Sequence, residues 1–393
     1  MKGRMVQHGA GIGPAYISGV SQVIVGRGVA APPYLKLLAD AARDAVADAG
    51  LEAAGIDGLV LSSSIPQPFA CNPAELAEYL GLGPAYAAMA PYGGRPGTDV
   101  INIARSAIAA GLASNVLVLS ADNFATTLGL EGAIELYMDS FDKTYERPFG
   151  PLIPTAFAMM AARHMHDYGT TPEQLAAPAV TIRRHGLLNP DTEVRGELTV
   201  ESVVGDVMVS TPLTRSMLAL ISTGGAQGFV VTGQPRGGRA VEVKGYGEAA
   251  AFFSLSQARS VVQFDHITTA AQRAVAQAGI LLDDIDFVEF YDPATIVPLI
   301  LLEDIGFCAK GEAGAFVADG MTDLGGKLPM NTHGGTLAFR HPGMGAALDS
   351  VVEAVVQLRG EAGVRQVEGA EIGLVHGQGS WLANNGFLVL GRA

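Results

Sequence analysis

The chain has 393 residues, of which 49% are hydrophobic, and its formal net charge is −14. This length and composition predict a large core divided over two domains or more. An acidic chain lacks the basic surface that nucleic acids and anionic membranes attract, so we expect neither of them as a partner. Two cysteines, Cys71 and Cys308, are too few for a disulfide framework or a cysteine-rich metal site.

The N-terminal residues and the longest apolar runs bear on where the chain resides. Residues 1–13 contain Lys2 and Arg4, but no apolar stretch typical of a secretory signal follows them. The longest apolar runs fall far short of the roughly 18–20 residues that a membrane-spanning helix requires. We therefore expect a soluble protein of the cytoplasm.

A helix-and-strand unit occurs twice in the sequence. Residues 41–57 (AARDAVADAGLEAAGID) align without a gap with residues 270–286 (AAQRAVAQAGILLDDID). In each copy the alanine-rich stretch predicts a helix, and Gly50 or Gly279 is suited to end it in a left-handed conformation. Such a repeat indicates that the chain is built from two copies of one unit.

Apolar runs predict the strands of both copies. Residues 58–61 and 287–290 each follow one of the repeated helices and are typical of buried strands. Residues 228–233 (GFVVTG) are similar to residues 386–391 (GFLVLG), and each segment is predicted to close its half. Together with the apolar run at 116–120 (VLVLS), this alternation of helices and strands favours parallel sheets that are covered on both faces.

Several motifs resemble those of the thiolase superfamily. Residues 331–344 (NTHGGTLAFRHPGM) are similar to the thiolase signature in which Asn-x-Asn-Gly-Gly leads to Gly-His-Pro. Four further segments resemble the sterol-carrier-protein-type branch: 145–150 (YERPFG), 162–171 (ARHMHDYGTT), 302–311 (LEDIGFCAKG) and 374–379 (LVHGQG). The resemblance covers nearly the whole chain, with its motifs in the order and at the spacing of the family.

This resemblance implies an α/β protein with the thiolase fold. Two duplicated α/β halves would stack in five layers, α-β-α-β-α, with a loop-domain insertion in the first half. We place the N-terminal half at residues 1–123 and 216–238, the loop domain at residues 124–215 over the first half, and the C-terminal half at residues 239–393.

The chain departs from the family at the nucleophile. In thiolases a Cys-x-Ser-Gly turn begins a buried helix that ends in Ala-Ile-x-Ala-Gly. The corresponding helix here ends at Gly111, and counting back without gaps places Gly94 where the cysteine would be. Cys71 and Cys308 lie elsewhere and are predicted to be packed as small hydrophobic residues. A covalent acyl-cysteine intermediate is therefore not expected.

The other family positions supply a candidate catalytic set. His341 matches the histidine of Gly-His-Pro, although Arg340 replaces the glycine; His333 falls at the second asparagine of the signature; and His376 matches the acid/base histidine of the branch. Tyr291 and Asp292 match the family's Asn-Glu or His-Asp pair, so that Tyr291 could exchange a proton with substrate and Asp292 could orient a histidine. For each of these residues a purely structural role is the alternative.

Backbone and phosphate contacts complete the predicted site. The backbone of Gly94, and of Gly377 and Gly379 in a glycine-rich turn, could donate hydrogen bonds to an oxyanion. Arg183 and Arg184 could meet the phosphates of coenzyme A, or could simply lie on a solvated helix face. The sequence shows no metal-ligand cluster, and coenzyme A is expected only as part of the substrate, with no permanently bound cofactor.

Three functions remain open. The favoured one is an enzyme that makes or breaks a C–C bond in β-hydroxyacyl-CoA by an aldol or retro-aldol reaction. A C-acyltransferase similar to acetyl-CoA acetyltransferase is the second, and a catalytically silent subunit that binds acyl-CoA or scaffolds a partner is the third. The family resemblance implies a homodimer, with the apolar strand at 116–120 as a compatible pairing element, and a small OB-fold, zinc-ribbon partner protein as in steroid side-chain aldolases.

Overall fold

The computed structural model describes residues 13–26, 29–64, 72–90, 97–123, 131–132, 135, 138, 141–219, 224–343 and 345–393. Its helices are α1 (Tyr34–Asp48), α2 (Pro73–Leu80), α3 (Asp99–Ala109), α4 (Ile153–Tyr168), α5 (Pro172–Leu187), α6 (Val200–Val204), α7 (Asp265–Ala278), α8 (Ile296–Ile305), α9 (Ala313–Ala318) and α10 (Ala346–Arg359). Its strands are β1 (Tyr16–Val25), β2 (Gly58–Ser62), β3 (Tyr86–Ala90), β4 (Asn115–Asp122), β5 (Met208–Ser210), β6 (Leu213–Thr214), β7 (Gly224–Thr232), β8 (Val241–Ala250), β9 (Phe287–Phe290), β10 (Ile372–Gly379) and β11 (Asn384–Arg392).

The nine long strands form one sheet in the order β3-β2-β4-β7-β1-β8-β11-β10-β9. Its two halves repeat the same pairing. In the first half β7 is antiparallel to both β1 and β4, and β4 is parallel to β2. In the second half β11 is antiparallel to both β8 and β10, and β10 is parallel to β9. Strand pairing joins the two halves where Tyr16 and Ile17 of β1 pair with Glu242 and Val241 of β8. The duplication predicted from the helix-and-strand repeat is therefore present in the topology.

Five layers follow from the way the apolar faces pack. Helices α3 and α10 share one core with residues of both half-sheets, such as Val118 and Val375, so they form the central layer. Helices α1 and α2 cover the outer face of the first half, and α7 and α8 cover the outer face of the second. Burial of these apolar faces is the main stabilising contribution. The predicted α/β thiolase fold is confirmed.

The residues at several helix ends explain where those helices begin or end. The chain enters a left-handed conformation at Gly50 (φ 65°), just after α1, and at Gly279 (φ 69°), which caps α7. Glycine adopts this conformation without the steric cost that a β-carbon imposes. The Asn72 side chain accepts hydrogen bonds from the backbone of Ala74 and Glu75 and so begins α2.

The segment that contains α4 and α5 packs against the second half, not over the first half as predicted. Its apolar residues, such as Phe157 and Ile182, belong to the same core as Leu299 of α8. Gly186 of α5 lies so close to the second half that a β-carbon there would be 2.9 Å from the side chain of Ala338. The predicted boundaries of the three domains stay a prediction. Within the described residues, none of the helices combines the length and apolar character that crossing a bilayer requires.

Candidate active site

The candidate residues of the second half gather where β9 ends. Met330 forms an isolated parallel bridge with Val288 of β9, and Asn331 follows it with a positive φ of 52°. The Asn331 side chain accepts a hydrogen bond from the Phe290 backbone N–H (2.7 Å) and donates one to the Phe290 carbonyl (2.9 Å). The signature segment is thereby fastened to the end of β9, which brings residues 331–341 next to Tyr291 and Asp292.

Asp292 holds the backbone of this segment. Its carboxylate accepts hydrogen bonds from the backbone N–H of Thr336 (2.6 Å) and of Leu337 (3.4 Å), at the start of a π-helical turn, Gly335–Phe339. A β-carbon at Gly335 would lie 2.3 Å from the Asp292 carboxylate, so only glycine fits there. Burial raises the pKa of Asp292 to about 7. Its carboxylate therefore caps a helical turn, and the prediction that Asp292 orients a histidine stays a prediction.

Tyr291 and His341 form a direct side-chain pair. The Tyr291 hydroxyl lies 2.6 Å from Nε2 of His341, and the ring centroids are 5.6 Å apart. Burial lowers the pKa of His341 to about 4, so the imidazole is neutral near pH 7. A neutral Nε2 with a lone pair can accept the tyrosine proton. The geometry is that of a hydrogen bond from the Tyr291 hydroxyl to Nε2, and a catalytic role for the pair stays a prediction.

His333 belongs to a buried polar network. Its Nδ1 lies 2.8 Å from the Glu289 carboxylate, and both side chains are almost fully buried. Burial disfavours the imidazolium, but the nearby Glu289 carboxylate outweighs it and raises the pKa of His333. The Thr332 hydroxyl extends the network by bonding to Glu289 and Glu353 (2.8 Å each). These contacts favour the structural alternative for His333.

A cavity of about 200 Å³ borders this network. His333 and Phe339 contribute to its wall, together with residues of α10, of residues 189–191 and Arg365. Its walls do not include Tyr291 or His341.

His376 lies in β10 and is fully buried between aromatic rings. Its ring centroid is 4.9 Å from that of Phe387 and 6.1 Å from that of Phe290, and its Nε2 lies 2.9 Å from Oδ1 of Asn385. Burial lowers its pKa to about 4. The backbone carbonyl of His376 accepts a hydrogen bond from the Tyr291 backbone N–H (3.3 Å). A catalytic role for His376 stays a prediction.

The predicted oxyanion glycines have different surroundings from those expected. Gly377 and Gly379 are not in a turn: they lie inside β10, opposite Gly386 and Asn384 of β11. The backbone of β10 pairs with β11 as far as the end of the strand, so the edge that faces β11 is engaged in strand pairing. Gly94 lies outside the described residues.

The two arginines predicted to bind coenzyme A lie on α5 in different environments. Arg183 is 8% exposed, and its guanidinium donates a hydrogen bond to the Gly196 carbonyl (3.1 Å). This contact favours a structural role for Arg183, and its part in binding coenzyme A stays a prediction. The Arg184 side chain is 56% exposed and pairs with Asp323 at 2.6 Å. Its role in binding coenzyme A stays a prediction.

Cysteine 308 does not have the surroundings of a nucleophile. It lies in the loop after α8, and burial raises the pKa of its thiol to about 12. A thiol with so high a pKa carries almost no thiolate at neutral pH. This agrees with the prediction of a packed cysteine. Cys71 lies outside the described residues. Among those residues no group of histidine, cysteine and acidic side chains could hold a metal ion.

Sequence reasoning missed the polar residues that the first half contributes beside His341. Asp122, at the end of β4, is fully buried and accepts a hydrogen bond from the Ser64 hydroxyl (2.9 Å). A β-carbon at Gly343, two residues after His341, would lie 2.5 Å from the Asp122 carboxylate. The signal was available: β2 and β4 are parallel neighbours, and polar residues that follow such strands meet at one edge of the sheet.

Comparisons with known proteins agree with this architecture. The family described as "Thiolase C-terminal domain-like" matches residues 247–392. An "Acetyl-CoA acetyltransferase" of Methanothermobacter thermautotrophicus is 32% identical over 357 residues, which are 88% of this chain and 91% of that protein. A "17-hydroxy-3-oxo-4-pregnene-20-carboxyl-CoA lyase" of Mycobacterium tuberculosis is 32% identical over 360 residues, 87% of this chain and 90% of that protein.

A solved structure superimposes over almost the whole chain. It is named "Ltp2-ChsH2(DUF35) aldolase", is 28% identical in sequence, and gives a TM-score of 0.85 while covering 96% of this chain and 98% of that one. The duplicated five-layer fold and the relatives matched over most of their length lead to the same conclusion: the chain belongs to the thiolase superfamily.

Proposed function

We propose that this protein is an acyl-CoA lyase that cleaves a C–C bond of a β-hydroxyacyl-CoA by a retro-aldol reaction, or forms that bond in reverse, without a covalent intermediate. The observation that carries the proposal is the 2.6 Å contact between the Tyr291 hydroxyl and Nε2 of a neutral, buried His341. The predicted class, a thiolase-like enzyme that acts on acyl-CoA as a lyase or an acyltransferase, is confirmed by the relatives.

The pair can carry the proton that a retro-aldol cleavage requires. Tyr291 would accept the proton of the substrate's β-hydroxyl while it passes its own proton to Nε2 of His341. The bond between the α- and β-carbons then breaks, the β-carbon becomes a carbonyl group, and the electron pair enters the thioester enolate. The proton returns from His341 through Tyr291 to the α-carbon, which leaves a shortened acyl-CoA and restores the enzyme.

The reaction needs no cysteine, and this separates it from ordinary acyl transfer. A thiolase-type transfer requires a thiolate to take the acyl group. Cys308 cannot supply one near neutral pH, because burial raises its pKa to about 12. The lyase and the aldolase structure among the relatives support the cleavage reaction, whereas the acetyltransferase keeps acyl transfer as the second candidate. A silent subunit is the third.

The proposal also includes coenzyme A as part of the substrate, a homodimer, and a small partner protein. A homodimer would pair through β3, because β3 is at the edge of the described sheet and has β2 as its neighbour on one side. The predicted pairing strand at 116–120 cannot serve, since β4 lies between β2 and β7. The solved aldolase is named as a complex, which supports a small partner protein here as well. Location in the cytoplasm and a role in lipid metabolism stay predictions.

The test is mass spectrometry of the purified protein after incubation with a panel of β-hydroxyacyl-CoA thioesters, with and without co-expressed small partner. We expect a shortened acyl-CoA and a carbonyl product, with no mass added to the protein, and no product from Tyr291→Phe. An acyl adduct that forms and decays during turnover would replace the lyase by the acyltransferase. Absence of turnover with every thioester, in a folded protein that binds them, would leave the silent subunit.

A further inference from the structure

The residue before His341 is an arginine that reaches into the first half of the molecule. Arg340 is 2% exposed, and its guanidinium forms a two-pronged ion pair with Asp349 of α10, at 2.8 Å from Nε and 2.6 Å from Nη2. Its third nitrogen, Nη1, donates to the backbone carbonyls of Val23 in β1 (3.1 Å) and Gly224 in β7 (3.4 Å). One side chain thus connects the signature segment to two strands of the other half.

The partner carboxylate is tied to the same two strands. Asp349 also accepts hydrogen bonds from Nε2 of Gln22 in β1 (2.7 Å) and Nε2 of Gln227 in β7 (2.6 Å). The guanidinium and both amides therefore satisfy the carboxylate, which offsets much of the desolvation that a buried ion pair costs. The result is a polar junction of the buried Arg340, Asp349 and Gln227 with the half-buried Gln22, here called the inter-half clamp.

Two glycines, Gly225 in β7 and Gly345 after His341, allow side chains of the clamp to pack directly against the backbone. A β-carbon at Gly225 would be 2.2 Å from Nη1 of Arg340, and one at Gly345 would be 2.2 Å from the amide oxygen of Gln227. Side chains at either position would push the segment away. The backbone on each side of His341 is thus held at a fixed distance from β1 and β7, while Tyr291 is fixed to the end of β9.

We propose that Arg340 is a positioning residue for His341: through the inter-half clamp it sets where Nε2 meets the Tyr291 hydroxyl. This inference rests on the proposed function for its catalytic consequence, but the position of His341 can be measured without any reaction. A buried ion pair is weak evidence for stability, and a role in fixing one geometry is the better account of its presence. Lysine would not replace Arg340, because it lacks the planar fork that binds a carboxylate with two parallel hydrogen bonds.

Arg359 provides a matched control. Its side chain is 2% exposed, it pairs with Asp48 at 2.8 Å, and it donates to the Ser18 carbonyl of β1 (3.1 Å). It lies at the far end of α10 from the clamp. Truncating Arg359 therefore removes a buried arginine and a contact to the same strand without touching the segment that carries His341.

The experiment compares Arg340→Ala, Arg340→Lys and Arg359→Ala in full-length protein labelled with 15N-histidine, with the His341 signals assigned from His341→Gln. We expect both Arg340 variants to shift the His341 Nε2 resonance towards that of Tyr291→Phe, and Arg359→Ala to leave it unchanged. Millimolar guanidinium chloride should restore the signal in Arg340→Ala. With a thioester that the wild-type protein cleaves, kcat should fall about 10²-fold while KM changes little.

The possible results separate the positioning role of Arg340 from the proposed lyase activity. An unchanged His341 resonance in folded Arg340 variants, or an equal shift in Arg359→Ala, would overturn the positioning role. If the Arg340 variants shift the His341 resonance but the wild-type protein cleaves no thioester, the positioning role is retained and the lyase is rejected. If Arg340→Ala fails to fold, Arg340→Lys supplies the same comparison with the charge retained.

Discussion

Tyr291 and His341 are 50 residues apart in the chain, yet the phenolic oxygen of one lies 2.6 Å from Nε2 of the other. The contact depends on two separate attachments. The Asn331 side chain fastens the signature segment to the end of β9, and Arg340 fastens the same segment to β1. The chemistry assigned to the pair therefore depends on the packing of both halves, and the following experiments separate the two contributions.

Replacing Tyr291 by phenylalanine should abolish most of the activity without unfolding the protein. The variant removes the hydroxyl that bonds to His341 and keeps the ring. We expect kcat for β-hydroxyacyl-CoA cleavage to fall about 10²- to 10⁴-fold, the range for loss of a general acid–base group. Tyr246→Phe is the matched control, because its hydroxyl bonds to Glu248 on the same strand (2.8 Å). Equal losses in the two variants would contradict the assignment.

The dependence of kcat/KM on pH should reveal a histidine of unusually low pKa. His341 accepts a proton only while it is neutral, and burial lowers its pKa to about 4. Activity should therefore persist well below pH 6.5 and decline only as pH falls through about 4. The other titrating groups nearby are Asp292, with its pKa raised to about 7, and His333, whose pKa is raised by carboxylates despite its burial; Asp292→Asn removes the contribution of Asp292. An acid limb centred near 6.5 in that variant would show that His341 is not buried as described.

Asp292 should matter as a cap and not as a proton carrier. Asparagine can still accept the Thr336 N–H hydrogen bond, whereas alanine cannot. We expect Asp292→Ala to lower the free energy of unfolding by about 1–2 kcal/mol, as for the loss of a helix cap, and Asp292→Asn to lose much less. Urea denaturation followed by circular dichroism measures both. Equal stability of the two variants, with equal loss of activity, would instead point to a role of the negative charge.

The sequence was sufficient for the fold because its signals are local and repeated. The Ala-Val-Ala-x-Ala-Gly repeat predicts both outer helices and their glycine ends, and the apolar run 287–290 coincides with β9. It was insufficient where a contact joins residues that are far apart in the chain. Nothing near Arg340 in the chain indicates Val23 or Gly224 as its partners, and nothing near Tyr291 indicates which histidine its hydroxyl would meet.

The errors at the site have the same origin. Gly377 and Gly379 look like a turn by composition, but pairing with β11 keeps them in the strand. Arg183 could have lain on a solvated helix face, but α5 turns it inward, where its guanidinium donates to the carbonyl of Gly196 in the same segment. In both cases tertiary packing overrides a local preference.

His376 should make stability depend on pH in a predictable direction. Burial lowers its pKa in the folded protein to about 4, while an unfolded chain has a value near 6.5. Between these values the unfolded protein binds a proton that the folded protein does not, so stability decreases as pH falls. From pH 6.5 to pH 5 this histidine alone should cost about 1.5 kcal/mol. His376→Gln, which can keep a hydrogen bond to Asn385, should lose correspondingly less over that interval in urea titrations, and an unchanged dependence would place His376 in a more polar environment.

Cys308 should be dispensable for the reaction. Its thiol is partly buried, its pKa is raised to about 12, and it lies in the loop after α8, away from the Tyr291–His341 pair along the chain. We expect Cys308→Ser to retain wild-type kcat, and iodoacetamide to modify Cys308 slowly at pH 7, since only the thiolate reacts. Loss of turnover in Cys308→Ser, together with an acyl group found on Cys308 by peptide mass spectrometry, would identify a nucleophile and replace the non-covalent mechanism. Retained turnover with no acylated peptide would support the non-covalent mechanism, in which Tyr291 and His341 transfer the proton.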